Sequence, residues 1–321
     1  MSRNDGSAFN RRNLLIGAAA AAFVRPAIAQ EAHPGLGLGR PHSDFLQTQV
    51  EEPRRVLGEK NSQPGVDAGT ASYDAKGSKS TSGVFHYAPG WRFDKKHYVN
   101  SDQEFFVLDG EFTVDDITYK TGDYTYFPAG YEHKLMESKS GGAVFNFYEG
   151  EHLAFYEPVP AGMYVKEKLI KHIQSARIAW KGGTADDERR WGRTAQRKLL
   201  RNDRKTGEST WLLKVGPDKG DVRRPVVTNA AVEEMFVLDG DIATPRGVMK
   251  PGSYAWRIPG VALGPMGTKG GFVALIRSKG GALKPTFGES KPVVWDAPYQ
   301  PLIDTPQKAW AFKPYDSKLK F

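Results

Sequence analysis

The stretch GWRFDKKHYVNSDQEFFVLDGEFTVDDITYKTGDYTYFPAGYEH, residues 90–133, decides how the chain is read. Runs rich in Val, Phe, Tyr and Thr alternate in it with Asp109-Gly110 and Thr121-Gly122-Asp123, both read as hairpin-type turns. Similar runs at 84–88, 104–108, 112–115, 124–127 and 144–148 predict short antiparallel strands. So many strands at such close spacing imply a sandwich or a small barrel.

The pattern then returns. QEFFVLDGEFTVDDITYKTGDYTYFPAG at 103–130 is echoed by EEMFVLDGDIATPRGVMKPGSYAWRIPG at 233–260. The Phe-Val-Leu-Asp-Gly blocks at 106–110 and 236–240, and the Gly-x-Tyr triplets at 122–124 and 252–254, share one offset of 130 residues. Self-similarity at the length of a domain means tandem duplication. The fold expected is therefore all-β, with two barrels in tandem.

The spacing Gly122, five residues, Pro128-Ala129-Gly130, two residues, His133 resembles the second motif of the cupin superfamily, whose small jelly-roll barrels often hold a metal. By that resemblance the chain is a bicupin. The segments LLRNDRKTGESTWLLKV at 199–215, EEMFVLDGD at 233–241 and GSYAWRIPGVALGP at 252–265 resemble exported two-cupin proteins related to the cupin domain of ChrR-type anti-sigma factors. The family's metal site takes two His and a Glu from the first motif and a third His from the second. Counted from Gly110 and Gly122, those positions fall on His97, Val99, Gln103 and His133. The resemblance thus implies a divalent metal (Fe, Mn, Zn or Ni) on His97, Gln103 and His133, in the first barrel only. Strand alternation sends Glu104 to the face opposite Gln103. His86, Phe105, Tyr124 and Tyr126 are the expected ligand-contacting side chains around this centre.

In the second repeat the 130 offset maps His97 to Val227, Gln103 to Glu233 and His133 to Leu263. All seven histidines precede residue 173, so no His-based metal site exists there. Leu263 also precedes Gly264-Pro265, where the family often carries His. Glu233, Glu234, Arg224, Arg257 and Trp256 could make a polar pocket, but exposed charge pairs on a sheet are the leading expectation, in a barrel serving stability or dimerisation.

Around these repeats, residues 1–29 read as a twin-arginine signal peptide: Arg11-Arg12, an apolar stretch, then Ala27-Ile28-Ala29. Periplasmic localisation is the corresponding expectation. Residues 30–80 form an arm taken to wrap the first barrel, with a short edge strand at 45–50. The first barrel occupies 81–162, a helix (163–176) and linker extend to 196, the second barrel occupies 197–285, and a tail runs from 286 to 321. There is no cysteine, hence no disulfide and no thiolate ligand. A net charge of +8, spread along the chain, is short of a nucleic-acid footprint. No run after the signal is long and apolar enough to span a membrane.

The sequence therefore predicts a barrel that binds a small organic ligand together with a divalent metal. If catalytic, its natural class is metal-dependent oxygen or Lewis-acid chemistry, as in a dioxygenase. The alternatives are a metal-free binding module for a sugar or aromatic compound, and a structural protein. A homodimer is compatible with each. The catalytic residues and the substrate are left open.

Overall fold

The computed structural model describes residues 38–48, 54–55 and 65–303. The signal-peptide expectation lies outside them. Strands dominate, as the short β-rich runs require.

Two large antiparallel sheets carry the duplication. In the first, the order is Ile170–Gln174, Asp123–Phe127, Gln103–Val114, Gly142–Tyr148, Thr81–Tyr87, Val66–Tyr73, Arg54–Arg55. In the second it is Ser43–Gln47, Ser253–Arg257, Val232–Gly240, Phe272–Lys279, Ser209–Val215, Gln196–Asn202, Lys181–Gly182. The two orders correspond strand for strand. Each sheet curls over shorter strands, such as Trp91–Phe93 with Met136–Ser138 in the first barrel and Arg223–Thr228 with Thr286–Pro292 in the second.

Asp109-Gly110 is not a hairpin turn. Val107 pairs with Val144 and Asp109 with Ala143, which leaves Leu108 as a bulge inside the continuous Gln103–Val114 strand. The second repeat does the same around Leu238. Here the strand bends from one wall of the barrel to the other. Glycine is required at the bend: Gly110 and Gly240 have φ of +68° and +79°, and a Cβ would lie 2.4 Å and 1.9 Å from the carbonyl oxygens of Gly141 and Gly271.

Three cores follow from the period of two along each strand. Phe105, Val107 and Phe127 point into the first barrel with Tyr87, Trp91 and Tyr119. Met235, Val237 and Ala255 point into the second with Trp191 and Phe272. The alternate residues, Phe106, Tyr124, Tyr126 and Phe145 from one sheet and Phe236, Tyr254, Trp256 and Leu275 from the other, form a shared core between the barrels. Phe145 and Phe236 meet there with ring centroids 4.4 Å apart.

That shared layer also holds a buried charge cluster. Glu104 accepts from Tyr124 at 2.6 Å, and its counterpart Glu234 accepts from the counterpart Tyr254 at 2.7 Å. Arg277 bridges both carboxylates at 3.0 and 2.8 Å and lies 4.1 Å over the ring of Phe147, its own counterpart in the first repeat. The exposed charge pairs expected at Glu233 and Glu234 are therefore buried. Glu234 faces the other barrel, and Glu233 faces the interior of its own.

Two expectations along the connecting segments change. The edge strand Ser43–Gln47 pairs with Ser253–Arg257 of the second barrel, so the arm does not simply wrap the first. Reciprocally, Ile170–Gln174, which leads into the second barrel, pairs with Asp123–Phe127 of the first. This segment was expected as a helix over 163–176. Its apolar Ile170 and Ile173 pack against the shared core from a strand with a register shift between them, and such a bulge imitates helical spacing. The α-helix of the linker is Ala185–Trp191, begun by a capping box between Thr184 and Asp187.

Candidate functional site

Gln103 opens its strand facing inward, and Glu104 faces the other barrel, as alternation requires. His97 and His133 come from two loops joined by an isolated antiparallel bridge, with N–H···O distances of 3.0 and 2.8 Å. Their rings stand 5.3 Å apart. In the second barrel the same bridge joins Val227 to Leu263, again 130 residues on. One backbone frame thus presents imidazoles in one copy and aliphatic side chains in the other.

His97, Val99, Gln103 and His133 line a single cavity of about 120 Å³ with Phe85, Tyr87, Trp91 and Phe93 on its walls. Met136, Tyr148, His152 and Ala154 complete the lining with Val66. The Gln103 amide Nε2 donates to Asn146 Oδ1 at 3.0 Å and to Tyr148 Oη at 2.9 Å. His97 Nδ1 sits 2.9 Å from the Lys95 carbonyl, which fixes its proton there and leaves Nε2 as an acceptor. His133 Nδ1 is buried without a hydrogen bond. Burial lowers the pKa of His97, while burial and the neighbouring His97 push His133 down to about 3. Both imidazoles are neutral at pH 7.

The expected ligand contacts divide. Phe105 is inside the barrel but deep, packed on Phe112, Tyr119 and Phe127 rather than on the cavity. Tyr124 and Tyr126 do not face the interior. They pair opposite Phe106 and Glu104 and share those residues' outward face, with Tyr126 hydrogen-bonded to Asp102. His86 stands between two cavity-lining neighbours, Phe85 and Tyr87, and so points to the outer face, opposite Asp67. Missed by sequence reasoning were Tyr148, Asn146 and His152. Tyr148 could have been found as the residue paired across from Gln103, had the register been known.

The cupin fold implies a metal, and the donor set meets this only in part. Two neutral imidazoles on a shared ion, each about 2 Å from it, would hold their rings about 5 Å apart, as these do. The tautomer of His97 also suits a ligand. The remaining positions do not fit: Val99 has no donor atom, and Gln103 supplies at most a neutral amide oxygen. Among the described residues no three His, Asp or Glu side chains converge as a metal group.

The second barrel fills the equivalent space with ions of its own. Arg257 donates to Glu233 at 2.8 Å and to Asp44 at 2.9 Å, and Arg190 from the helix forms a forked pair with Glu233. Burial alone would raise Glu233, but Arg190 and Arg257 outweigh it and hold the carboxyl down to about 2. Trp191 of the same helix packs on Phe272. This interior is plugged by buried, mutually neutralised charges.

Comparison with known proteins agrees with the fold. Residues 59–153 match the ChrR cupin-like domain family, so the match falls on the first barrel and the segment before it. A proposed dioxygenase from Nostoc punctiforme has a similar structure at 15% identity, with a TM-score of 0.66 over 80% of this chain and 94% of that one. A proposed glyoxylate-induced protein from Pseudomonas aeruginosa is similar at 12% identity, with a TM-score of 0.51 over 74% and 87%. No curated protein matches by sequence. At these identities the structural likeness speaks to fold. Residues 59–153 thus resemble the ChrR cupin-like domain family, and the fold of the chain is that of a two-barrel cupin.

Proposed function

We propose that the first barrel binds a small organic ligand in the cavity bounded by His97, Gln103 and His133, and that the second barrel is a closed structural copy. The observation that carries this is the contrast at one backbone bridge: imidazoles beside an open cavity in the first repeat, Val227 and Leu263 beside an ion-paired plug in the second. Phe85, Tyr87, Trp91 and Phe93 supply the apolar walls, and Tyr148 and Gln103 orient a polar group. The twin-arginine segment supports export, with binding in the periplasm.

A second reading is favoured by the His97–His133 pair itself. It places a divalent ion between the two imidazoles, held loosely because Gln103 brings no charge. Such an ion would polarise an oxygen of the bound ligand. Elemental analysis of protein purified from the periplasm without chelators separates the readings. Stoichiometric metal, lost in His97→Ala and in His133→Ala but kept in Leu263→Ala, supports the ion. Metal-free protein that still takes up small molecules supports the binding module. Protein that binds neither sinks both.

A further inference from the structure

We infer that the ligand of the first barrel is an uncharged molecule about one aromatic ring in size, carrying a hydroxyl or N–H at one end. This rests on the proposal that the first-barrel cavity is a ligand site. Among the described residues, the cavity lining contains no Lys, Arg, Asp or Glu. The charged groups nearby, Lys96, Glu132 and Glu157, line a separate outer groove that meets the cavity only at His97. A charged ligand would enter without a counter-ion and lose its hydration, which strongly disfavours it. The second barrel shows what this fold requires of an interior charge, since Glu233 is flanked there by two guanidinium groups.

Size and polarity narrow the class further. A volume of about 120 Å³ is close to that of a cavity known to hold one benzene ring. Tyr87 and Trp91, with centroids 4.7 Å apart, and Phe85 give the ring flat apolar surfaces. At the polar end, both amide hydrogens of Gln103 are committed to Asn146 and Tyr148, which leaves its Oε1 as an acceptor. His97 Nε2 is an acceptor because Nδ1 carries the proton. These two acceptors on the cavity lining favour a ligand that carries a donor. A carboxylate would find no cation on this lining to offset its charge.

The test compares phenol, toluene, benzoate and oxalate by isothermal titration calorimetry at pH 7, on the full exported protein, both stripped with EDTA and loaded with zinc chloride. The expected result is that phenol binds the stripped protein at least tenfold more tightly than toluene and benzoate, and that oxalate does not bind. In Gln103→Leu, the preference of phenol over toluene shrinks while both still bind. Toluene binding as tightly as phenol overturns the hydrogen-bonding end. Benzoate or oxalate binding more tightly than phenol, in either metal condition, overturns the uncharged class while leaving a ligand site in place. No heat from any of the four probes in either condition overturns the inference together with the ligand site on which it rests.

Discussion

Arg277→Met tests the buried charge layer between the barrels. Arg277 is the cation shared by Glu104 at 3.0 Å and Glu234 at 2.8 Å, and it also pairs with Glu149. Glu104 and Glu234 are no more than 2% exposed, so neither carboxylate can turn to water. Removing one partner of a buried ion pair costs about 3–5 kcal/mol. The lower end applies, because Glu104 keeps Tyr124, Thr210 and Arg201, and Glu234 keeps Tyr254 and Arg40. At roughly 2–4 °C per kcal/mol for a large domain, melting falls by about 6–12 °C at pH 7. The pH dependence carries the sign. Burial alone would raise Glu104, but Arg277 and then Arg201 outweigh it and hold the carboxyl below its ordinary value. A depressed carboxylate contributes stability above its unfolded pKa, and loses it as pH falls through the folded one. Without Arg277 burial gains weight, so protonation relieves the variant at a higher pH than it affects the native protein. Scanning calorimetry from pH 8 to pH 5 should show the gap between the two proteins narrowing. Glu104→Gln combined with Arg277→Met should recover part of the loss. A melting change under about 2 °C, or a gap constant with pH, would refute the reasoning.

Two further outcomes rest on the geometry. Gly240→Ala places a Cβ 1.9 Å from the Gly271 carbonyl oxygen at a φ of +79°, whereas Gly90→Ala, at +78°, meets nothing within 4 Å. Thermal denaturation should show Gly90→Ala losing only the roughly 1 kcal/mol of left-handed strain, and Gly240→Ala clearly more; equal losses would contradict the close approach. Gln103→Glu replaces an amide donor facing Asn146 Oδ1 with a buried carboxylate, and should destabilise the metal-free protein by about 1–3 kcal/mol, less at pH 5 than at pH 8. Titrating Fe(II), Mn(II), Zn(II) and Ni(II) then reports on the ion site: melting that rises more in the variant than in the native protein supports it, and no rise with any of the four rules it out.

The duplication was legible because backbone geometry constrains it. Gly110 and Gly240 must be glycine, so their blocks stayed alike while most other positions changed. The gathering of His97, Gln103 and His133 around one cavity was implied by the resemblance to the cupin motifs. The faces of Tyr124 and Tyr126 could not. Alternation normally reveals the buried side of a strand, but Asp123–Phe127 is buried on both sides, one by the barrel and one by its neighbour. With both faces apolar or aromatic, parity has no signature until the pairing of Glu104 with Tyr126 is known. Non-local pairing hid the destination of Ser43–Gln47 in the same way, since its partner lies more than 200 residues away.

The leading strands are exchanged between the two barrels. Ser43–Gln47 lies on the second barrel, and Ile170–Gln174 lies on the first. Two separate single-barrel chains would make the same exchange if each laid its N-terminal strand on the other's sheet edge. In one chain the exchange ties each repeat to the sheet edge of the other. Two unlike repeats also escape a constraint that identical subunits cannot. At a twofold axis a homodimer must repeat each residue, so Phe would face Phe or Arg would face Arg. Here Phe147 faces Arg277, a pairing of unlike partners at equivalent positions, 4.1 Å apart. Such a pairing is open only to repeats of unlike sequence, and the same freedom lets one barrel present imidazoles where the other has aliphatic side chains.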